Sequence, residues 1–312
     1  MDGNLYNTNN ISITGDLGSG KSTVAKQLCK ILNLEYFSTG LLQRKLAKER
    51  GVDTLELNYI SEKDTNIDDY IDQYLKDINK DLQNNYVLDS RLAWFFVNKS
   101  FKIYLTIVPE IAATRVINDH DRQNEPEAQS LEERVFTLLE RQRIENRRFR
   151  SIYNADCRNL NNYDLIIDTS YVSIDDVVNF IVLVYKDYLQ GVRHNHMWVS
   201  PRVLYPTQDI RSLASDEAKG LLTKIKDVGF DENYPIEIIS VERALYIWNG
   251  HKRVSSAIQN GISLIPVRLL ATDDEEIYKG HSAKTFVESI PPNKYVYDWE
   301  DMHNFDFYKH RS

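Results

Sequence analysis

Gly15-Asp16-Leu17-Gly18-Ser19-Gly20-Lys21-Ser22 is the stretch that decides the fold. It fits G-x-x-x-x-G-K-[ST], directly after the β-branched run Ile11 to Thr14 and at the opening of a helical pattern. At such a junction, glycines let backbone N–H groups turn inward around phosphate oxygens, and the following helix adds its positive end. Gly15, Gly18, Ser19, Gly20, Lys21, Ser22 and Thr23 are therefore the candidate residues for a bound ATP, with Lys21 reaching the β and γ phosphates. Ser22 offers a hydroxyl to Mg²⁺. Asp89, at the end of a second apolar strand, is placed to hold the metal's water; the alternative is a plain turn residue.

Outward from this loop, short β-branched runs alternate with longer helical patterns, the mark of βαβ units. Strands are predicted at Ile11 to Thr14, Tyr86 to Asp89, Phe101 to Ile107 and Leu165 to Asp168. Helices are predicted near 21–32, 40–51, 66–82, 109–119, 130–149 and 173–189. The fold class expected is α/β, a P-loop NTPase with a doubly wound parallel sheet over residues 1–190. After a His-containing junction, Arg193 to Met197, the pattern changes to Pro-marked turns, short strands and one helix. A smaller α+β domain is expected over 198–312, with an aromatic tail from Pro291 that packs back onto a domain.

The 312 residues, 42% apolar and 27% charged, suit two globular domains. A net charge of −8 argues against a nucleic-acid-coating role. Two cysteines, Cys29 and Cys157, make neither a disulfide framework nor a zinc cluster, which fits a reducing, cytoplasmic setting. The start, Met1 to Asn10, is polar, and the apolar run Val177 to Val184 is too short to span a bilayer, so no membrane association is expected.

A P-loop names the donor and leaves the acceptor open. Tyr36-Phe37-Ser38-Thr39-Gly40 with Arg44, then Val87-Leu88-Asp89-Ser90-Arg91-Leu92-Ala93, then Arg141, Glu145 and Arg148 followed by Phe149, Tyr153 and Asp156, and finally Tyr163 to Ser170, resemble the cytidylate kinases, in particular the archaeal-type branch. The resemblance runs from about Asn10 to Tyr188. It implies an ATP- and Mg²⁺-dependent phosphotransferase acting on a nucleoside monophosphate such as CMP or dCMP, or a cytidine nucleotide derivative. It implies that Thr39, Gly40, Arg44, Arg91 and Arg141 hold the acceptor, that Glu145 takes ribose hydroxyls, and that Lys21, Arg141, Arg148 and Asp89 serve catalysis. Independently, positions i, i+4 and i+7 share one helix face, so Arg141, Glu145 and Arg148 can meet one ligand, although a solvated face with ion pairs has the same spacing. Arg143, Arg147 and Arg150 are surface candidates. Arg115 and Arg122 flank a lid from which either reaches donor phosphates. The family's acid after the S-T-G glycine is Leu41 here, its aromatic is Gln43, and its glycine before the arginine is Ser90.

Further on, Ile236 to Ile239, Ala244 to Trp248, Asn249-Gly250-His251-Lys252-Arg253 and Ile265 to Leu269 read as strand, strand, turn, helix, strand, and resemble the ParB N-terminal/sulfiredoxin-like fold. The resemblance implies that Asn249, Gly250, His251, Lys252 and Arg253 bind a second phosphorylated ligand or nucleotide, with His251, Lys252 and Arg253 supplying positive charge. An Asn-Gly turn also forms for purely structural reasons. Glu237 and Asp209 are candidate acids or bases, and His194 with His196 a candidate metal pair or an exposed junction. The function expected is a small-molecule kinase with a phosphate-binding second domain. Two alternatives stand beside it: the second domain as principal catalyst, or an ATP-switched module that binds a partner or DNA.

Overall fold

The computed structural model describes residues 10–61, 66–80, 85–119, 130–209, 216–291 and 295–307, and it divides into two units. The first runs through Thr169 and resumes over Ser173–Arg193; the second takes Ser170–Val172 and the chain from His194.

In the first unit the elements are β1 (Ile11–Gly15), α1 (Lys21–Leu32), β2 (Glu35–Ser38), α2 (Thr39–Arg50), α3 (Thr54–Ser61), α4 (Asn66–Lys80), β3 (Tyr86–Asp89), α5 (Ala93–Phe96), β4 (Phe101–Thr106), α6 (Pro109–Ile117), α7 (Leu131–Tyr153), β5 (Leu165–Asp168) and α8 (Ile174–Leu189). The strands pair in parallel in the order β2-β3-β1-β4-β5. This is a mixed α/β fold built on a parallel sheet. Ile11, Ile13, Val87, Leu88, Ile103, Leu105, Leu165, Ile166 and Ile167 are all buried, as strands covered on both faces require. Val24, Ala25 and Leu28 of α1 and Val177, Val178 and Ile181 of α8 are buried helix positions at the i, i+3/i+4 spacing that covers such a sheet.

β1 lies between β3 and β4, where the order of connections reverses, and the loop after it opens at the carboxyl ends of the strands. Ligands of open α/β sheets bind at that kind of crevice. Gly15 has φ of +147°, and a side chain there would begin 2.2 Å from the Leu105 carbonyl oxygen of β4, so only glycine lets the loop leave the sheet at this point.

Several elements differ from the sequence expectation, among them the helices α3 and α5, which were not predicted. β2 was not predicted as a strand, because it is four residues long, sits at the edge and begins on the exposed Glu35. α7 runs past 149 to Tyr153 and stops where Asn154 turns left-handed; it begins on Ser130, whose hydroxyl accepts from the Glu133 N–H.

The second unit comprises β6 (Met197–Val199), β7 (Leu204–Tyr205), α9 (Asp216–Val228), β8 (Ile236–Val241), β9 (Ala244–Asn249), α10 (His251–Gln259), β10 (Ile265–Thr272), β11 (Glu276–Tyr278), β12 (His281–Ser282), α11 (Ala283–Ser289) and α12 (Val296–His303). Its sheet is mixed, in the order β6-β10-β8-β9-β7, with β8 parallel to β10 and antiparallel to β9. The aromatic tail packs inward: Trp299 is fully buried and Phe307 stacks on Tyr205 at 4.1 Å. Among the described residues no helix is long and apolar enough to cross a membrane.

Candidate active site

The glycine-rich loop is closed around its own polar groups. Lys21 Nζ donates to the carbonyls of Gly15 (3.0 Å) and Asp16 (2.6 Å), and Ser19 Oγ donates to the Asp16 carbonyl at 2.8 Å. Gly18 approaches Ala112 so closely that a side chain would begin 2.9 Å from it, which seats α6 against the loop. The Asp16 carboxylate accepts from Tyr104 Oη (3.0 Å), Gln142 Nε2 (2.6 Å) and the Ile107 N–H (3.3 Å), so β4 and α7 both hold the loop. Thr23, expected among the donor residues, is exposed on the first turn of α1.

Ser22 and Asp89 meet across the β1–β3 pair: Ser22 Oγ donates to Asp89 Oδ2 at 2.6 Å, and Tyr36 Oη donates to the same oxygen at 3.0 Å. Burial, together with the Asp89 charge, pushes the Tyr36 hydroxyl up to about 12, so Tyr36 stays a donor. Thr39 is buried at the start of α2, and Arg44, one turn on, lies over Gly40 with Nη1 3.6 Å from where a side chain on that glycine would begin.

Arg141, Glu145 and Arg148 share the buried stripe of α7, at 5%, 3% and 3% exposure, while Arg143, Arg147 and Arg150 are exposed. Glu145 ion-pairs with Arg141 Nε (3.1 Å) and with Arg91 Nε (3.0 Å), which comes from the loop after β3. Burial alone would raise the Glu145 carboxyl, but Arg91, Arg141 and Arg148 together outweigh it and hold the carboxyl below its ordinary value. Arg91 Nη1 also donates to the Gly15 carbonyl. Glu145, expected on ribose hydroxyls, has each carboxylate oxygen against a guanidinium group, and a carboxylate this buried is stable only where cations repay its desolvation.

A model of the cytidylate kinase-like family matches residues 10–171, just over half of the chain. The chain belongs to that family. The cytidylate kinase of Pyrobaculum islandicum is 37% identical over 170 residues, covering 54% of this chain and 88% of the relative. That of Sulfolobus acidocaldarius is 36% identical over 174 residues, covering 55% and 91%, and that of Methanocaldococcus jannaschii 35% identical over 176 residues, covering 55% and 94%. The protein is a phosphotransferase of the nucleoside monophosphate kinase kind.

In this cytidylate kinase-like protein Arg115 donates from Nη2 to the Thr169 carbonyl at 2.7 Å, and Thr169 Oγ1 donates to the Ser19 carbonyl at 3.1 Å, so Arg115 belongs to the far side of the loop from Arg91. Arg122 lies outside the described residues. Sequence reasoning missed Asp16, Tyr36 and Gln142, since the first is a variable position of the motif, Tyr36 acts across two strands and Gln142 acts from α7 on the loop. It also missed Asp72 of α4, which is 3% exposed and accepts from Tyr153 Oη at 2.5 Å.

In the second unit Gly250, left-handed with φ of +115°, caps α10 without a side-chain bond. His251 does not supply charge there, contrary to expectation. It is buried, its Nε2 accepts from the Thr207 N–H at 3.0 Å, and burial pulls the ring down to about 4, so it is a neutral acceptor. Arg253 donates to the Tyr234 and Pro235 carbonyls at the start of β8, and Lys252 is half-buried. Glu237 is an outward strand residue bound to Arg268 and, at 3.2 Å, to Asn249. Asp209 is exposed. His194 pairs with Glu232 at 3.0 Å and His196 is exposed; among the described residues no three metal-ligating side chains gather.

Glu145→Gln removes the carboxylate that three guanidinium groups face, and we expect a loss of about 3 kcal/mol in denaturant unfolding of the first unit. His251 binds a proton in the unfolded chain near its ordinary value of 6.5 but refuses it in the fold until about 4. Its contribution is therefore complete above about pH 6.5 and is lost as pH falls toward 4. His251→Gln keeps an acceptor and removes the titration, so its Tm should fall less between pH 7.5 and pH 5 than that of the wild type.

Proposed function

We propose that the first unit transfers the γ-phosphoryl group of ATP to the phosphate of CMP or dCMP, and that the unit is a P-loop kinase of the doubly wound type. The convergence of Arg91, Arg141 and Arg148 on Glu145, with Arg91 also bound to the first glycine of the loop, is the observation that carries this reading. Phosphoryl transfer requires positioning and charge neutralisation above all. The nucleophile is a phosphate oxygen already anionic at neutral pH, so the site needs no base to abstract a proton. What it needs is cations on both sides of the transferred group. Lys21 supplies one from the donor loop. On the acceptor side the guanidinium forks of Arg44, Arg91, Arg141 and Arg148 suit a phosphate bidentately and never lose their charge. A bond forms between the acceptor oxygen and the γ-phosphorus, the β–γ bridge breaks, and ADP leaves.

Mg²⁺ prefers a few hard oxygen ligands and keeps waters and substrate phosphates as the rest. The Ser22 hydroxyl and Asp89 carboxylate, 2.6 Å apart, are such a donor set and fit it. Bound there, the ion neutralises phosphate charge. Tyr36 orients the Asp89 carboxylate toward Ser22. Arg115, beside Thr169 and Ser19, is on the donor side, where it steers the nucleotide that occupies the loop.

Residues 198–312 resemble the ParB N-terminal/sulfiredoxin-like fold, and the Gly250 turn there binds a second phosphorylated ligand. The N-terminus of α10, which Gly250 caps without a side-chain bond, and the Lys252 ammonium support this, with Asn249 and Gly250 shaping the approach. Arg253 braces the turn from below through the Tyr234 carbonyl.

ADP release from ATP and Mg²⁺ should be stimulated by CMP and dCMP well above AMP, and Lys21→Ala should lower kcat by roughly 100-fold or more. Silence with every nucleoside monophosphate, while ATP still binds, would sink the acceptor assignment. For the second unit, calorimetry with pyrophosphate in a Lys21→Ala background should detect a site whose affinity falls about tenfold on adding Lys252→Ala. Equal affinity in both variants would refute it.

A further inference from the structure

Asp72 is a buried acid that none of the steps above uses. Its Oδ2 accepts from Tyr153 Oη at 2.5 Å, and Tyr153 closes α7 within a set of aromatic rings. Tyr153 meets Phe96 edge-on at 5.4 Å, Phe95 at 6.1 Å and Phe149 at 6.4 Å. The Arg148 guanidinium lies over the Phe149 ring at 5.1 Å. Phe95 and Phe96 belong to α5, which opens two residues after Arg91. Two residues beyond Asp72, Tyr74 stacks on Phe37 at 5.8 Å, and Phe37 leads directly into Ser38, Thr39 and Gly40. Asp72 is thus joined through aromatic rings to the arginines given to the acceptor phosphate and, along α4, to the strand end that carries Thr39.

A nucleoside monophosphate bound by its phosphate must also seat a flat base, and flat rings are held by aromatic walls with a few polar groups on their edge. A cytosine edge presents an amino donor where a uracil-type edge presents a keto acceptor. A carboxylate only accepts, so it satisfies the first and repels the second. A carboxylate that is 3% exposed also pays heavily for lost water, and a ligand N–H directed at it offsets that cost.

We propose that Asp72, held in place by Tyr153, determines the choice of acceptor base by accepting a hydrogen bond from the exocyclic amino group of cytosine and disfavouring the keto oxygen of uracil. This rests on the acceptor class proposed above. Tyr153 is a positioning residue: its hydroxyl fixes the Oδ2 oxygen of the carboxylate.

The test is the ratio of kcat/KM for CMP to that for UMP, in the full chain, for wild type, Asp72→Asn and Tyr153→Phe. A ratio does not depend on the fraction of folded enzyme. An asparagine can turn either a donor or an acceptor to the base, so the wild-type preference for CMP should shrink roughly ten- to hundred-fold in Asp72→Asn. A ratio that stays constant while both kcat/KM values fall together assigns Asp72 a purely structural role and overturns the proposal. If Asp72→Asn does not fold, Tyr153→Phe decides: a several-fold lower ratio supports the proposal and an unchanged ratio overturns it. A wild-type enzyme inactive on both nucleotides overturns the acceptor reading itself, an outcome visible before any variant is made.

Discussion

Arg91 gives one hydrogen bond to the carbonyl of Gly15 and an ion pair to Glu145, so a single guanidinium fastens the first residue of the phosphate loop to the long helix α7. A guanidinium withdrawn from water needs its charge answered, and the Glu145 carboxylate answers that of Arg91 as well as that of Arg141. The energetic logic is mutual. The carboxylate is tolerable only because cations surround it, and the cations are kept close to one another only because the carboxylate is there.

The same loop is held from its other side by Asp16. Its carboxylate takes hydrogen bonds from β4 through Tyr104 and the Ile107 N–H, and from α7 through Gln142. α7 therefore contributes to both clamps: Gln142 toward the donor loop, and Arg141, Glu145 and Arg148 toward Arg91. α7 reaches both clamps because 3.6 residues per turn place adjacent residues about a hundred degrees apart. Gln142 and Arg141 can then address different neighbours while both stay buried.

In the second unit the turn at Gly250 follows a different economy. The ring of His251 is neutral and bound to the Thr207 backbone, and Arg253 is fastened to the chain entering β8. These residues build the turn. A motif rich in basic letters thus serves in good part to shape a backbone, and the burial of His251 and the bonds of Arg253 show how.

The glycine loop, the parallel strands and the phase of α7 were legible in the sequence. Each is encoded locally: Gly-Lys-Ser spacing at a strand-to-helix junction, continuous β-branched runs for strands buried on both faces, and i, i+4, i+7 spacing for Arg141, Glu145 and Arg148. The edge strand at Glu35–Ser38 was not, since four half-exposed residues carry little pattern. Nor were the partners of individual charges. That Glu145 would face Arg91, that Asp16 would be gripped by Tyr104 and Gln142, that Tyr153 would reach Asp72 across 81 positions, and that His251 would lose its charge all depend on contacts between residues distant along the chain. By itself the sequence determined where the glycine-rich loop and the charged side chains fall along the chain. Only the tertiary structure decided which of them are already engaged with each other, because desolvation and pairing are set by burial, and burial is a property of the packed chain.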